Sequence, residues 1–434
     1  VDTTSPTTDP AGLLRSREYL RVLALAALLG LPISAAAYGF LSLVHLIQVW
    51  VFEELPSGLG FGTVPVWWPL PVLGAAGVLV GLTIRYLPGR GGHVPAYGLN
   101  TSLPVIAELP GIFAAALIGL GLGIVLGPEA PLIALGGGLA VLALGKGAAK
   151  RPPQAIALVA SVGSFAAIAT LLGSPIVGAF LLMEAIGIGG SALSVVLIPG
   201  LLAAGMGALI FVGLGHWTGL GPLSLGIPDL PAVASPNVVQ FLWAVTIGAL
   251  GAAVGVTIRK VALWIDPVAR AHVMVVTPIV GLVIGALAII FTQVTGHSTS
   301  DVLYSGQTAL APLLTQSSSY SVGALLLLLV CKGLSYTVAL GGLRGGPIFP
   351  SMYLGAAGGI ALSHLPGLPM LAGAAMGIVA LCVTMLRLPL TAVLLTTLFL
   401  GNEGITLMPL IIVAGVVAHV VAAWLTPPAS PQKT

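Results

Sequence analysis

In the stretch LGIVLGPEAPLIALGGG, Leu122–Gly138, Glu129 stands between Pro128 and Pro131 with glycines on both sides. A carboxylate in so apolar a setting is costly to desolvate unless it is paired. Prolines break a continuing helix but suit the first turn of a new one. The stretch therefore reads as a break in the chain followed by a helix start running into 132–144. Gly346–Pro350 (GPIFP) reads the same way, and so does Gly91–Pro95 (GHVP after Gly91). Helix starts leave N–H groups unpaired and carry a partial positive charge. Several aimed at one point form an anion site that needs no Lys or Arg. A glutamate at such a start is itself an anion. It can occupy the site until a diffusing anion replaces it, and protonation would also release it, which links anion movement to pH. The plainer alternative is a carboxylate that caps its own helix.

The elements that must hold these breaks are membrane helices. The chain of 434 residues is 57% hydrophobic and 6% charged, with a mean hydropathy of +1.12; an ordinary soluble domain carries roughly a quarter charged residues. Apolar runs such as 192–212, 275–291 and 407–425 approach or reach the length of about 20 residues that spans a bilayer. Alternation of polar and apolar residues, the mark of a transmembrane barrel, is missing. Broken backbone at membrane depth is tolerated only where protein buries it or where it lines a cavity. Arg15, Arg17 and Arg21, then Arg85 with Arg90, then Lys146, Lys150 and Arg151, then Arg259 with Lys260 form basic clusters between the apolar runs. The positive-inside rule places those clusters and the N-terminus in the cytoplasm. No continuous basic face exists for nucleic acid. Cys331 and Cys382 lie in apolar runs and suggest neither a disulfide nor a metal site. No HExxH or GxSxG motif supports an intramembrane enzyme, and Glu108, Glu129 and Glu184 are too scattered along the chain for a carboxylate-lined cation path.

The chain also resembles itself. GPEAPLIALGGG (127–138) and GPIFPSMYLGAA (346–357) share Gly127/Gly346, Pro128/Pro347, Pro131/Pro350, Leu135/Leu354 and Gly136/Gly355. Downstream, LLGSPIVGAFLLMEA (171–185) parallels MLRLPLTAVLLTTLF (385–399) around Pro175 and Pro389. GGHVPA (91–96) corresponds more weakly to TGHSTS (295–300). We expect a cytoplasmic tail and the start of an amphipathic helix over 1–21, and a first membrane repeat over 22–220. A polar, proline-rich linker over 221–237 follows, then a second repeat over 238–425 and a tail over 426–434. Duplicated transporters place their sites where Gly and Pro interrupt helices near the membrane midplane.

From about Arg15 to Leu425 the chain resembles the CLC family of chloride channels and proton-coupled chloride antiporters. GPEAP (127–131) resembles the family's GREGP element, GGPIFP (345–350) its GGIFAP-like element, and GGHVP (91–95) its GSGIP element. GSPIVGAFLLMEA (173–185) resembles the intervening GAPLAGILFIIEE. The resemblance implies an all-α polytopic membrane protein, an inverted repeat of many tilted and partly spanning helices. It implies a homodimer in a prokaryotic plasma membrane, with one chloride pathway per subunit, cytoplasmic termini and no cofactor. It places the external gating glutamate at Glu129 and the anion-binding backbone at Gly127, Glu129, Ala130, Gly346, Ile348 and Phe349. Gly92, His93 and Val94 would line the cytoplasmic vestibule, with a hydrogen-bonded structural role open for His93.

Several residues depart from the family's pattern. Its GSGIP serine falls on Gly92. The internal proton-transfer glutamate falls on Ala185, beside a Glu184 that suits a structural role. The family's C-terminal tyrosine would come from a last helix that the stretch TPPASPQKT (426–434) is not expected to form, and Pro347 has no N–H to offer. Tyr97 could restore a hydroxyl or serve only in packing. Fewer hydroxyl donors hold an anion less tightly, and fast conduction needs binding weak enough to release it. The expectation is thus a chloride conductor gated by Glu129 and coupled weakly or not at all to protons. The alternative is an H+/Cl− antiporter in which water replaces the missing acid. No residue pattern signals fluoride specificity.

Overall fold

The computed structural model describes residues 16–99, 105–145, 151–187, 191–218, 226–227 and 230–426. Arg15, Lys146, Lys150, linker residues 221–225 and 228–229, and tail residues 427–434 lie outside the described residues.

The first series of helices is α1 (Arg17–Val49), α2 (Pro69–Tyr86), α3 (Leu109–Gly121), α4 (Glu129–Ala143), α5 (Pro153–Leu172), α6 (Pro175–Ile186) and α7 (Ser191–Thr218). The second is α8 (Val238–Ala271), α9 (Val273–Thr295), α10 (Leu310–Thr315), α11 (Val322–Gly342), α12 (Ile348–Leu362), α13 (Met370–Leu386), α14 (Pro389–Phe399) and α15 (Gly401–Leu425). Among the described residues there is no β-strand, and one isolated antiparallel bridge joins Gly127 to Gly346.

Local signals explain many of the boundaries. Proline opens α5, α6 and α14, where its missing N–H removes no helical bond. Ser174 and Ser321 cap α6 and α11 through side-chain oxygens that accept from Val177 and Ala324. Asn237 and Gln240 form a reciprocal capping box at the start of α8. Left-handed Gly173, Gly187 and Gly296 end α5, α6 and α9.

Among the described residues, seven helical segments are long and apolar enough to cross a bilayer, and the chain is an integral membrane protein. α4 and α12, at 15 residues each, extend only about 22 Å against a hydrocarbon thickness of about 30 Å. Their starts therefore need protein around them, and both are buried: Glu129, Ile348 and Phe349 are at most 1% exposed.

The duplication is visible in the helices. α4 to α7 contain 15, 20, 12 and 28 residues, and α12 to α15 contain 15, 17, 11 and 25. α5 packs on α6 and α7, and α13 packs correspondingly on α14 and α15. The repeated pair Gly136/Gly355 has the same task in both places. Gly136 lies against the backbone of Gly163 in α5, and Gly355 against that of Gly377 in α13. A side chain at any of these four positions would drive the helices apart. By contact the chain divides into two compact units whose borders cut across the sequence repeats. One contains Val1–Ser42, Thr101–Leu109 and Leu132–Ser224; the other contains Leu43–Asn100, Pro110–Pro131 and Leu225–Thr434.

In the second unit α2 packs on α9, and α8 on α11, α13 and α15. The turn over 299–304 is held by Lys332 of α11, which is fully buried. Its Nζ donates to the carbonyl oxygens of Asp301, Val302, Leu303 and Tyr304 at 2.9 to 3.4 Å. It also sits 4.4 Å from the centre of the Tyr353 ring, an attraction between cation and ring face.

Candidate functional site

The two Gly-Pro breaks meet. Gly127 N–H donates to Gly346 O at 2.7 Å, and Gly346 N–H donates to Gly127 O at 2.5 Å. This reciprocal pair sets the starts of α4 and α12 beside each other. Glu129, the first residue of α4, turns its fully buried carboxylate to the start of α12, where Phe349 N–H donates to Oε1 at 3.0 Å. The amides of Ile348 and of Glu129 itself also act on the carboxylate. Among the described residues, Oε2 has no hydrogen-bond partner.

The glycines leave the space this requires. A Cβ on Gly127 or on Gly346 would collide with the carboxylate oxygens of Glu129. From α11, the Tyr336 hydroxyl donates to Pro347 O at 2.8 Å, fixing the turn that precedes α12. Ser351 Oγ donates to Ile348 O at 2.6 Å and lies 3.8 Å from Cys382 Sγ. The arrangement is thus a buried carboxylate held by helix-start amides in a pocket lined by missing side chains. One of its oxygens remains free for a proton.

The residues expected in the anion-binding backbone fall into two groups. Phe349 and Ile348 face the carboxylate, and Ala130 lies in the first turn of α4, where N–H groups have no helical partner. Gly127 and Gly346 do not offer their amides, because each N–H is taken by the other's carbonyl. Their part is the bridge and the open space.

The stretch Gly91–Pro95 differs more from expectation. It is followed by a single 3₁₀ turn, Pro95–Tyr97, which Gly98 ends at φ 97°, so no helix start stands there. Gly91 and Gly92 adopt φ of 73° and 97°, which favours glycine. Val94 is buried and His93 exposed, its ring edge-on to Tyr97 with centroids 6.0 Å apart. Loss of water from around the His93 ring, then the Arg344 and Arg270 cations, hold its pKa below the usual imidazole value, against a smaller upward pull from Asp266. Tyr97 gives its hydroxyl to Asp266 Oδ2 at 2.9 Å. Asp266 also binds Arg270, through Nε at 2.8 Å and Nη2 at 2.7 Å. The Tyr97 hydroxyl is therefore committed to a carboxylate. Glu184 lies in the last turn of α6.

Three residues escaped the reading of the sequence: Tyr336, Lys332 and Arg344. The signal for two of them was present. A lone cation inside LLLLLVCKGLSY or ALGGLRGGP is expensive at membrane depth and by default marks a site or a structural clip.

Short helices whose starts converge on a buried carboxylate, in a duplicated all-α membrane chain, define the inverted-repeat class of membrane transport proteins. Within that class the chain belongs to the CLC family, since the family model described as voltage gated chloride channel matches residues 96–423. A relative from Escherichia coli O1:K1 / APEC, named "Putative ion-transport protein YfeO", is 28% identical over 421 residues, covering 95% of this chain and 94% of the relative. The protein of that name from Shigella boydii serotype 4 (strain Sb227) is 27% identical over 422 residues, with the same coverage. The fold is similar to that of a slow cyanobacterial Cl−/H+ antiporter, with a TM-score of 0.74 and 22% identity over 93% of this chain and 95% of the other. It is also similar to a CLC-type fluoride/proton antiporter, with a TM-score of 0.66 and 18% identity over the same shares.

Proposed function

We propose that the protein carries chloride across the membrane along a path through the junction of α4 and α12, with Glu129 as its gate. The observation that supports this most directly is the Phe349 N–H donating to Glu129 Oε1 inside the Gly127–Gly346 cradle. A carboxylate held by helix-start amides marks a place where those amides would hold a diffusing anion equally well. An ionised carboxylate with one buried oxygen unpaired is poorly stabilised in an apolar interior. A proton on Oε2 or an arriving chloride therefore favours its departure. Chloride would then rest on the amides of Ile348, Phe349, Glu129 and Ala130. The functional unit in this reading is a homodimer with one path per subunit and cytoplasmic basic loops.

Weak or absent proton coupling is the leading form of the proposal, because Ala185 stands where an internal acid would relay protons. The antiporter form has one observation in its favour, the free Oε2 that can take a proton from one side. Simultaneous chloride and proton flux from liposomes separates the two, measured for wild type and Glu129→Ala. A conductor moves chloride without driving protons uphill. Its flux increases on acidification, and Glu129→Ala removes that pH dependence. Uphill proton movement that Glu129→Ala abolishes, with chloride flux retained, establishes the antiporter instead. If no anion moves under any condition, both forms fail.

A further inference from the structure

We propose that the groove between α8 and α11 binds one membrane phospholipid, with an acyl chain laid over glycines of α11 and α12 and the phosphate held by Arg259 and Arg387.

One face of each helix makes the groove, from Ile247 to Val261 on α8 and from Leu326 to Thr337 on α11. These stretches are about 21 and 17 Å long, against about 15 Å for the hydrocarbon of one leaflet. Val254 and Val330, at its mouth, are 52% and 55% exposed, while Ile258, Leu354 and Leu381 at its base are buried. The space exists because side chains are missing. A Cβ on Gly333 would meet nothing within 4 Å, and one on Gly358 would meet only Leu329, at 3.8 Å. The groove encloses about 540 Å³, within the range of about 300–1,000 Å³ that holds one small ligand. Thr257 and Thr337 are the polar side chains that line it, and both hydroxyls donate within their own helices, to Ala253 O at 2.8 Å and Gly333 O at 2.6 Å. The other lining side chains are hydrocarbon or absent, so the occupant must be apolar. A protein helix of that length needs more than roughly 1,000 Å³, and a non-helical segment would find no partners for its backbone. A flexible hydrocarbon chain fits.

The same helices set the polar end. The uncharged run 241–258 of α8 ends at Arg259 and Lys260, and basic side chains at the end of such a run mark the membrane surface. Ile258 and Val261, which flank them, still line the groove. α8 and α13 pack in step, with Gly251 against Ala380 and Gly255 against Thr384. One turn further on, the same register sets Arg259 beside Arg387, the residue that ends α13, and the two cations repel one another. Neither has an ion-pair partner among the described residues. A phosphate between them supplies the missing anion, and guanidinium groups hold phosphate through paired hydrogen bonds. Basic pockets between spanning helices take anionic lipid headgroups in this way. Charge at one end and hydrocarbon along the rest identify a phospholipid and neither a free anion nor a free alkane. α12 gives Gly358 and Gly359 to the groove and the amides of Ile348 and Phe349 to the site. The lipid therefore bears on the helix that presents those amides.

The test titrates delipidated full-length protein with palmitoyl-oleoyl phosphatidylglycerol and reads bound lipid by native mass spectrometry. It compares wild type, Gly333→Ala, Gly333→Leu and the double variant Arg259→Gln/Arg387→Gln. Crystals grown with the same lipid, brominated at its oleoyl double bond, locate the chain by anomalous scattering. In wild type the bromine should lie in the groove beside Gly333 and Gly358. Gly333→Ala should bind as wild type does, and Gly333→Leu, whose side chain fills the groove, should lose the most tightly held lipid. The double arginine variant should hold that lipid about tenfold or more less tightly, since hydrogen bonds to a charged group are removed. Diacylglycerol, with the chains but no phosphate, should bind wild type as weakly as phosphatidylglycerol binds the double variant. Wild-type crystals with no bromine in the groove would overturn the proposal whether or not any variant folds. So would equal lipid binding by wild type and Gly333→Leu, equal affinity for diacylglycerol and phosphatidylglycerol, or a groove filled by detergent that the phospholipid does not displace.

Discussion

Two glycines and one glutamate carry the site, and they can be tested as a set. A methyl group at position 346 would occupy the space of Glu129 Oε2, so Gly346→Ala must displace the carboxylate or shift the bridge. Overpacking of this kind costs about 1–3 kcal/mol, and apparent Tm in detergent should fall. If the collision is with the carboxylate, Glu129→Ala removes it. The double variant should then recover most of the loss, a coupling of about 1 kcal/mol or more. An additive double variant would mean that Gly346 serves the backbone bridge alone. His93 offers a second test at this scale. Its pKa is lowered in the folded protein, chiefly through lost hydration and then through Arg344 and Arg270. The unfolded chain therefore binds the proton more readily, and wild type loses stability as pH falls through about 6.5 and below. His93→Gln has no imidazole to titrate, so its Tm should decline less on acidification than that of wild type. Equal declines would place the His93 ring outside the influence of those cations.

At the scale of the element, the breaks were more legible than what they touch. Pro128, Pro347 and the flanking glycines announce two helix starts, and α4 and α12 begin within a residue of them. The sequence repeat pairs Gly136 with Gly355, and the structure gives the two the same close approach to a neighbouring helix. The same logic failed at Gly91–Pro95, because glycine and proline also punctuate tight turns, and only Gly98, at positive φ, shows that the turn beginning at Pro95 does not continue as a helix. That the amides of Gly127 and Gly346 are spent on each other was not legible either. Pairing between residues 219 positions apart leaves no local trace. Lys332 shows the same limit, since sequence gives the buried charge but not the carbonyls awaiting it. Lys332→Met retains the stem and removes four donated contacts from the 299–304 turn. Each buried acceptor left unsatisfied costs about 1–3 kcal/mol. The variant should lose at least several kcal/mol of stability or fail to accumulate, whereas Lys332→Arg, which keeps a cation, should be milder. A Tm unchanged in Lys332→Met would show that water reaches the turn.

For the whole molecule, the completeness of the site within one chain has a consequence for assembly. Glu129, both cradle glycines and the α12 amides belong to the same chain and to the same compact unit. No second copy is needed to build this cradle. Apolar residues nevertheless remain exposed on α7, among them Ile198 and Leu209, and on α15, among them Ile405, Ile412 and Val416. Either lipid or a second copy must cover them, because exposed apolar patches of this extent are not left in water. Light scattering in detergent should give a protein mass twice the 43.5 kDa of one chain if a second copy does. Transport through such a dimer should then be the sum of two independent paths. When wild-type and Glu129→Ala chains are mixed and reconstituted at fixed total protein, the pH-dependent part of the chloride flux should fall in proportion to the wild-type fraction. Disproportionate loss at low fractions of the variant would instead require a gate shared between subunits, which a site enclosed in one chain does not provide.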